Sequence, residues 1–218
     1  MPSDVEMYHN NSSGNMIGEK MKIVGINCSP RKGQTTRKGL EVCLDAACDE
    51  SSKIRTDIIE LAGLDIRGCL ACGYCRKQLK CQQDDDFNSL ISVLNDKELA
   101  GIIIGTPVYL GTMTSQCKAF LDRCVMFRRN GFIFRNKVGG VLAVGGVRNG
   151  GQELTIQAVQ AAMLCQDMIC VGDGISTAHF GAALWSGGPG GIESDETGLE
   201  TARNLGRRLA QVAVRMGT

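Results

Sequence analysis

The sequence predicts an α/β domain, a parallel sheet covered by helices on both faces. Three observations predict it. Short apolar runs and amphipathic helical stripes alternate five times along the chain. The central run, Gly101-Ile102-Ile103-Ile104-Gly105, has no polar face, as expected of a strand buried on both sides. Turn-forming clusters follow several of the runs, where an open parallel sheet keeps its ligand-binding loops.

Residues 1–20 are polar, rich in Asn and Ser, and carry no periodicity, so they read as a flexible tail. Lys22-Ile23-Val24-Gly25-Ile26-Asn27 then reads as the first strand. Leu40, Cys43, Leu44, Ala47 and Cys48 recur at helical spacing along one face. Ile54 to Leu61 is the second strand, and Asp86 to Leu94 a helix with acidic residues at its N-terminus. The wholly apolar run is the third. Cys117, Phe120, Leu121, Cys124 and Val125 mark a further helical stripe. Val138 to Val144 is the fourth strand, Glu153 to Cys165 a helix, and Met168 to Val171 the fifth strand. Thr197 to Met216 closes the chain as a helix, with Ala202, Leu205, Leu209, Val212 and Met216 on one side. Two segments fall outside this rhythm: 62–85, with four cysteines, and the Gly-rich stretch 173–196, which is expected to lack secondary structure.

Composition narrows the function. The chain has 218 residues, 43% hydrophobic and 22% charged, enough apolar material for one sizeable core. Lys and Arg number 24 against 23 Asp and Glu, which argues against a nucleic-acid binder. No apolar run approaches the roughly 18 residues that span a bilayer, and the first twenty residues lack the apolar region of a secretory signal. A cytoplasmic protein is expected. Eleven cysteines in such a setting read as metal ligands or small core residues rather than as disulfides.

Cys28-Ser29-Pro30-Arg31-Lys32-Gly33-Gln34-Thr35-Thr36 joins the first strand to the first helix. A helix N-terminus at that place is an anion site, and the hydroxyls of Ser29, Thr35 and Thr36 with Arg31 suit one phosphate. Neither GxGxxG nor GxxxxGK[ST] is present. SPRKGQTT resembles the SPRxxGNT loop that holds the FMN phosphate in the flavodoxin-like NAD(P)H-dependent FMN reductase superfamily, with Gln34 where Asn is usual. Thr106-Pro107-Val108-Tyr109-Leu110-Gly111 resembles the loop bordering the isoalloxazine ring. Gly145 to Glu153 (GGVRNGGQE) resembles the Gly-rich loop on its other side. The resemblance implies a doubly wound five-stranded parallel sheet of order 2-1-3-4-5 over residues 21–218. It implies an FMN site of Ser29, Arg31, Gln34, Thr35, Thr36, Pro107, Val108, Tyr109, Gly111, Gly146 and Arg148.

Cys69, Cys72, Cys75 and Cys81 form one dense set within thirteen positions. Soft sulfur ligands select Fe–S clusters, zinc or Cu(I). Three cysteines evenly spaced by three favour one [4Fe–4S] cluster over zinc, which usually pairs two CxxC turns across a longer spacer. The spacing resembles the compact motif of the iron–sulfur flavoprotein family of the same superfamily, although some cluster-free flavin reductases keep a similar region. Of the remaining cysteines, Cys43, Cys48, Cys117 and Cys124 read as core, and Cys28 as a thiol that a nearby helix N-terminus can make reactive. His179 reads as structural, or as approaching the flavin, and Trp185 as an interface anchor.

The expectation is an FMN-dependent oxidoreductase passing electrons between a [4Fe–4S] cluster and FMN, with no side-chain acid or base required and hence no catalytic residue named. NAD(P)H and ferredoxin are the candidate redox partners, and a homodimer or homotetramer is implied by the resemblance. A cluster-free NAD(P)H-dependent FMN or quinone reductase, and a non-enzymatic zinc-stabilised binding module, remain open.

Overall fold

A computed structural model describes residues 20–217, so the tail expected over residues 1–20 falls outside the described residues except for Lys20. The first half of the chain comprises β1 (Met21–Asn27), α1 (Thr35–Glu50), β2 (Ile54–Glu60), α2 (Phe87–Leu94), β3 (Leu99–Pro107), α3 (Ser115–Arg123) and α4 (Val125–Arg129). Then come β4 (Val138–Gly145), α5 (Gln152–Leu164), β5 (Ile169–Cys170), β6 (Ala182–Trp185) and α6 (Glu196–Met216). The sheet is parallel in the order β2-β1-β3-β4-β5, the flavodoxin-like order expected from the sequence.

The strand period of two divides the core into two layers. Val24, Ile26, Ile102 and Ile104 face the side covered by Phe87 of α2, Phe120 of α3, Phe127 of α4 and Ile156 of α5. Ile23, Ile103, Leu142 and Val144 face the other side, under Leu40 and Leu44 of α1 and Leu205 and Leu209 of α6. Every residue of β3 and β4 is buried, which is why these strands read as continuous apolar runs. On the second face α1 and α6 cross at Gly206, where any Cβ would collide with the Cys43 carbonyl.

Three expectations are corrected. The stripe from Cys117 to Val125 is two helices: the Cys124 carbonyl accepts from the buried Gln166 side chain and from Phe127 N–H, so the α-helical ladder is interrupted there. The fifth strand is split. β5 pairs with Val138 and Gly139 and β6 with Leu142 to Gly145, so one edge position is filled by two pieces separated by an excursion. The stretch 173–196 therefore is not structureless; it holds β6 and a short 3-10 turn, Gly191–Ser194. Ala182-Ala183-Leu184-Trp185 is too short an apolar run, flanked by glycines, to show a period. The acidic cluster stands at the start of α2 as expected, and it is Asp85, not Asp86, whose side chain reaches the first N–H of the helix. Asp86 makes no side-chain capping bond but accepts from Asp65 N–H (2.8 Å), and Asp85 accepts from Arg67 N–H (3.2 Å) as well as Phe87 N–H (3.3 Å).

Candidate functional site

β1, β3 and β4 lie side by side, and their carboxyl-end loops are bonded to one another. Cys28 N–H donates to the Gly105 carbonyl (2.8 Å), Val108 N–H to the Val144 carbonyl (2.9 Å), and the Thr114 hydroxyl to the Cys28 carbonyl (2.9 Å). A Cβ on Gly151 would stand 3.2 Å from the Gly111 Cα, so the loops after β3 and β4 touch, and only glycine suits that approach at φ +104°. All three predicted loops therefore border one crevice.

Within the first loop Ser29 is buried and its hydroxyl accepts from Arg31 N–H (3.1 Å). Two residues that sequence reasoning did not single out shape the turn. Asn27 accepts from Ser29 N–H (3.2 Å) and donates to Glu60 (2.7 Å), whose other oxygen takes Gly33 N–H (3.3 Å). Their signal was only a polar residue ending each apolar run. Gln34 is extended at the N-cap of α1 and makes no capping bond, and no acidic side chain lies in the first turn. The positive end of α1 thus keeps free donors, with Thr36 buried, Thr35 half-buried, and Arg31 and Gln34 exposed around it. The arrangement can take an anion.

The second loop turns tightly after Pro107. Tyr109 N–H donates to the Thr112 carbonyl (2.8 Å), Leu110 has φ +49°, and Gly111 φ +80°. Val108 is half-buried; Tyr109 and Leu110 are exposed on the rim. In the third loop the Gly146 carbonyl accepts from the Trp185 indole (3.3 Å). Arg148 is in the loop as predicted, but its guanidinium lies over the Trp185 ring (4.5 Å) and donates to buried Asp195 (3.3 Å). Trp185 itself donates its backbone N–H to Asp195 (2.7 Å), so it packs within its own chain. His179 is joined to buried Asp173 through its backbone N–H (2.5 Å) and Nδ1 (3.3 Å). Cys28 is fully buried; burial and the adjacent Cys117 thiol push its pKa well above the ordinary value, so the reactive-thiol expectation is corrected to an inert one. Cys43, Cys117 and Cys124 are core as expected, whereas Cys48 is only half-buried.

The four clustered cysteines border one cavity. Cys69 and Cys72 are exposed, Cys81 half-buried and Cys75 buried. All are free thiols, and among the described residues no three His, Cys, Asp or Glu side chains stand close enough to hold a single metal ion. The segment carrying them has only a 3-10 turn, Tyr74–Arg76, and is held by its neighbours. Asn130 donates to the Cys75 carbonyl (2.9 Å), Asn88 accepts from Cys81 N–H (3.2 Å), and Arg129 reaches the Cys75 sulfur (3.4 Å). That sulfur, with Cys69 and Cys72 beyond it, raises the Arg129 pKa. Arg123, at the end of α3, is 2% exposed. It grips Asp85 with both terminal nitrogens (2.6 and 2.8 Å) and donates to the Arg67 carbonyl (2.8 Å). Burial works against the charges of this pair, but their mutual hydrogen bonds outweigh it: Asp85 is lowered and Arg123 raised, the latter also by the nearby Cys81 sulfur. Arg123 and Arg129 were missed in the sequence because their partners lie about forty to fifty residues away.

Helix α3 joins the two places. Thr114, at the crevice, caps its first turn by accepting from Cys117 N–H (3.1 Å), while Arg123 closes its far end at the cysteine cavity. Nine helical residues cover about 13 Å.

The sequence profile of the family described as NADPH-dependent FMN reductase matches residues 21–183. The chain belongs to this family. Relatives described as iron-sulfur flavoproteins, at 40% identity and above over nearly their whole length, make it a member of the iron–sulfur flavoprotein group within that family. An iron-sulfur flavoprotein of Methanocaldococcus jannaschii is 43% identical over 88% of this chain and 97% of its own length. Another, of Methanosarcina thermophila, is 40% identical over 88% and 95%. An NAD(P)H dehydrogenase (quinone) of Methanosarcina mazei is 33% identical, over 51% of this chain and 59% of its own. Among solved structures, a WrbA-like flavodoxin of Agrobacterium tumefaciens superposes with a TM-score of 0.63 over 90% of this chain and 99% of that one, at 19% identity. This FMN reductase relative is therefore a flavoprotein and an FMN-dependent oxidoreductase, with FMN as its cofactor.

Proposed function

We propose that this FMN-dependent oxidoreductase passes electrons between FMN, seated in the crevice at the carboxyl ends of β1, β3 and β4, and a [4Fe–4S] cluster held by Cys69, Cys72, Cys75 and Cys81. The observation that carries the reading is the cysteine cavity: Cys69, Cys72, Cys75 and Cys81 line one space. Zinc usually pairs two CxxC turns across a longer spacer; four sulfur donors at this compact spacing suit a polynuclear group. Arg129 reaches the Cys75 sulfur and brings positive charge to the space, while the charge of Arg123, which also borders it, is balanced by Asp85.

FMN exchanges electrons in pairs or singly and an Fe–S cluster singly, so a chain that holds both converts between one-electron and two-electron carriers. The protein's own residues bind and orient. The uncapped start of α1, with Ser29, Arg31, Gln34, Thr35 and Thr36, takes the phosphate. Pro107, Val108, Tyr109 and Gly111 form one wall for the ring and Gly146 the other, while Arg148 braces the third loop against Trp185 and Asp195 rather than reaching the anion.

Anaerobically purified protein assayed for iron, acid-labile sulfide and flavin tests the reading. About four iron and four sulfide per chain are expected, beside one FMN. Cys72→Ala should lose most of the iron and keep the flavin. Cys117→Ala, a core substitution, should keep the iron. The quinone-dehydrogenase relatives favour a second reading, a cluster-free reductase using NAD(P)H. Iron-free protein with full NAD(P)H-dependent flavin reduction would establish that one instead.

A further inference from the structure

Arg123 has five N–H donors in a rigid fork. Four belong to the terminal nitrogens, and three of these donate to Asp85 and the Arg67 carbonyl. The fifth, on Nε, is buried and has no partner. Leaving such a donor unpaired is costly in a folded protein, so a buried orphan calls for an acceptor close by. Its surroundings name the class of partner. Arg123 borders the cysteine cavity, the Cys81 sulfur stands beside its guanidinium, and the guanidinium face packs on the Phe87 ring (4.7 Å). The bidentate grip on Asp85 and the ring together fix the plane of the fork, so Nε–H cannot swing to another acceptor.

We propose that Arg123 is a positioning residue whose Nε–H donates to sulfur of the group held by Cys69, Cys72, Cys75 and Cys81 and raises that group's reduction potential. The inference rests on the cluster reading above. A hydrogen bond to sulfur stabilises the reduced, more negative form over the oxidised one, so the potential moves upward. Arg129, reaching Cys75 from the rim, is exposed to competition from water; Arg123 is not.

The test uses iron-loaded protein prepared anaerobically with arginine labelled in 15N. Pulsed EPR of the reduced cluster should show 15N couplings, and Arg123→Lys should remove one of them while iron, sulfide and FMN per chain stay at wild-type levels. In an EPR-monitored redox titration the same variant should have a lower midpoint potential than wild type, and Arg128→Lys, on the exposed side of α4, an unchanged one. Should Arg123→Lys lose its iron, the double variant Asp85→Asn with Arg123→Met, which leaves no buried unpaired charge, takes its place in the titration. Absence of any 15N coupling in iron-loaded wild type would overturn the inference, as would a wild-type midpoint in an iron-loaded variant. Wild-type protein without iron would overturn the cluster reading itself, and this inference with it.

Discussion

Single atoms decide several features of this fold. Gly206 lets α6 lie directly on the α1 backbone, and Gly206→Ala would press a methyl into the Cys43 carbonyl. We expect about 1–3 kcal/mol of destabilisation by urea unfolding, with flavin affinity of the folded fraction unchanged because the crossing lies under the sheet, away from the crevice loops. At the crevice, Arg31→Ala and Thr36→Ala each remove one donor near the start of α1. Charge-assisted bonds of this kind are worth enough that FMN binding should weaken about tenfold to a hundredfold, read by fluorescence titration of flavin-free protein. Unchanged affinity in both would move the phosphate elsewhere. The contrasting case is Cys28, one residue from the same loop yet sealed among Cys117 and the core; alkylating agents should spare it in the folded protein while modifying exposed Cys165.

Among the elements, the cysteine-bearing segment depends most on its neighbours. Arg123 and Asp85 are both buried and joined by two bonds, so Asp85→Ala would strand a buried guanidinium at a cost of about 3–5 kcal/mol, measured by denaturant unfolding. The Asp85 pKa lies below that of an unfolded carboxylate, so its contribution is fully present above the ordinary carboxylate range and is lost only as pH falls through the lower folded value. Hydrogen exchange over residues 65–85 of iron-free protein, corrected for intrinsic rates, should therefore be the same at pH 7 and pH 5 and rise only in stronger acid. Much of this architecture was legible in the residues. The continuous apolar runs of β3 and β4 and the stripes Leu40-Cys43-Leu44-Ala47 and Leu205-Leu209 announce doubly covered strands and one-sided helices, because burial itself sets the period. Of the split fifth strand, β5 at Ile169–Cys170 falls within the expected Met168 to Val171, but β6 was not legible. Four residues carry too little periodicity, and β6 owes its pairing to the finished β4 beside it. The crevice loops were legible as turn chemistry between elements; Arg123, Arg129, Asn27 and Glu60 were not, since each acts through a partner distant in sequence.

Considered whole, the molecule presents two adjoining sites at the ends of α3 and leaves Leu110, Leu70 and Ile175 exposed outside its two core layers. We propose that such side chains are covered in a homodimer or homotetramer. Light scattering of flavin-loaded protein should give a mass of at least two chains, and a monomer that keeps flavin, iron and activity on dilution would refute it. No helix among the described residues is long and apolar enough to cross a membrane. The divided edge strand limits how any such assembly is built. A free strand edge is a template for another chain, and proteins guard against runaway fibre growth by shortening or charging it. Here one edge offers only two-residue and four-residue stretches with a gap between them, and the other, β2, carries Arg55, Asp57 and Glu60. Neither border invites a foreign strand, so copies of this chain can crowd together at high concentration and meet through side chains and loops without their sheets fusing.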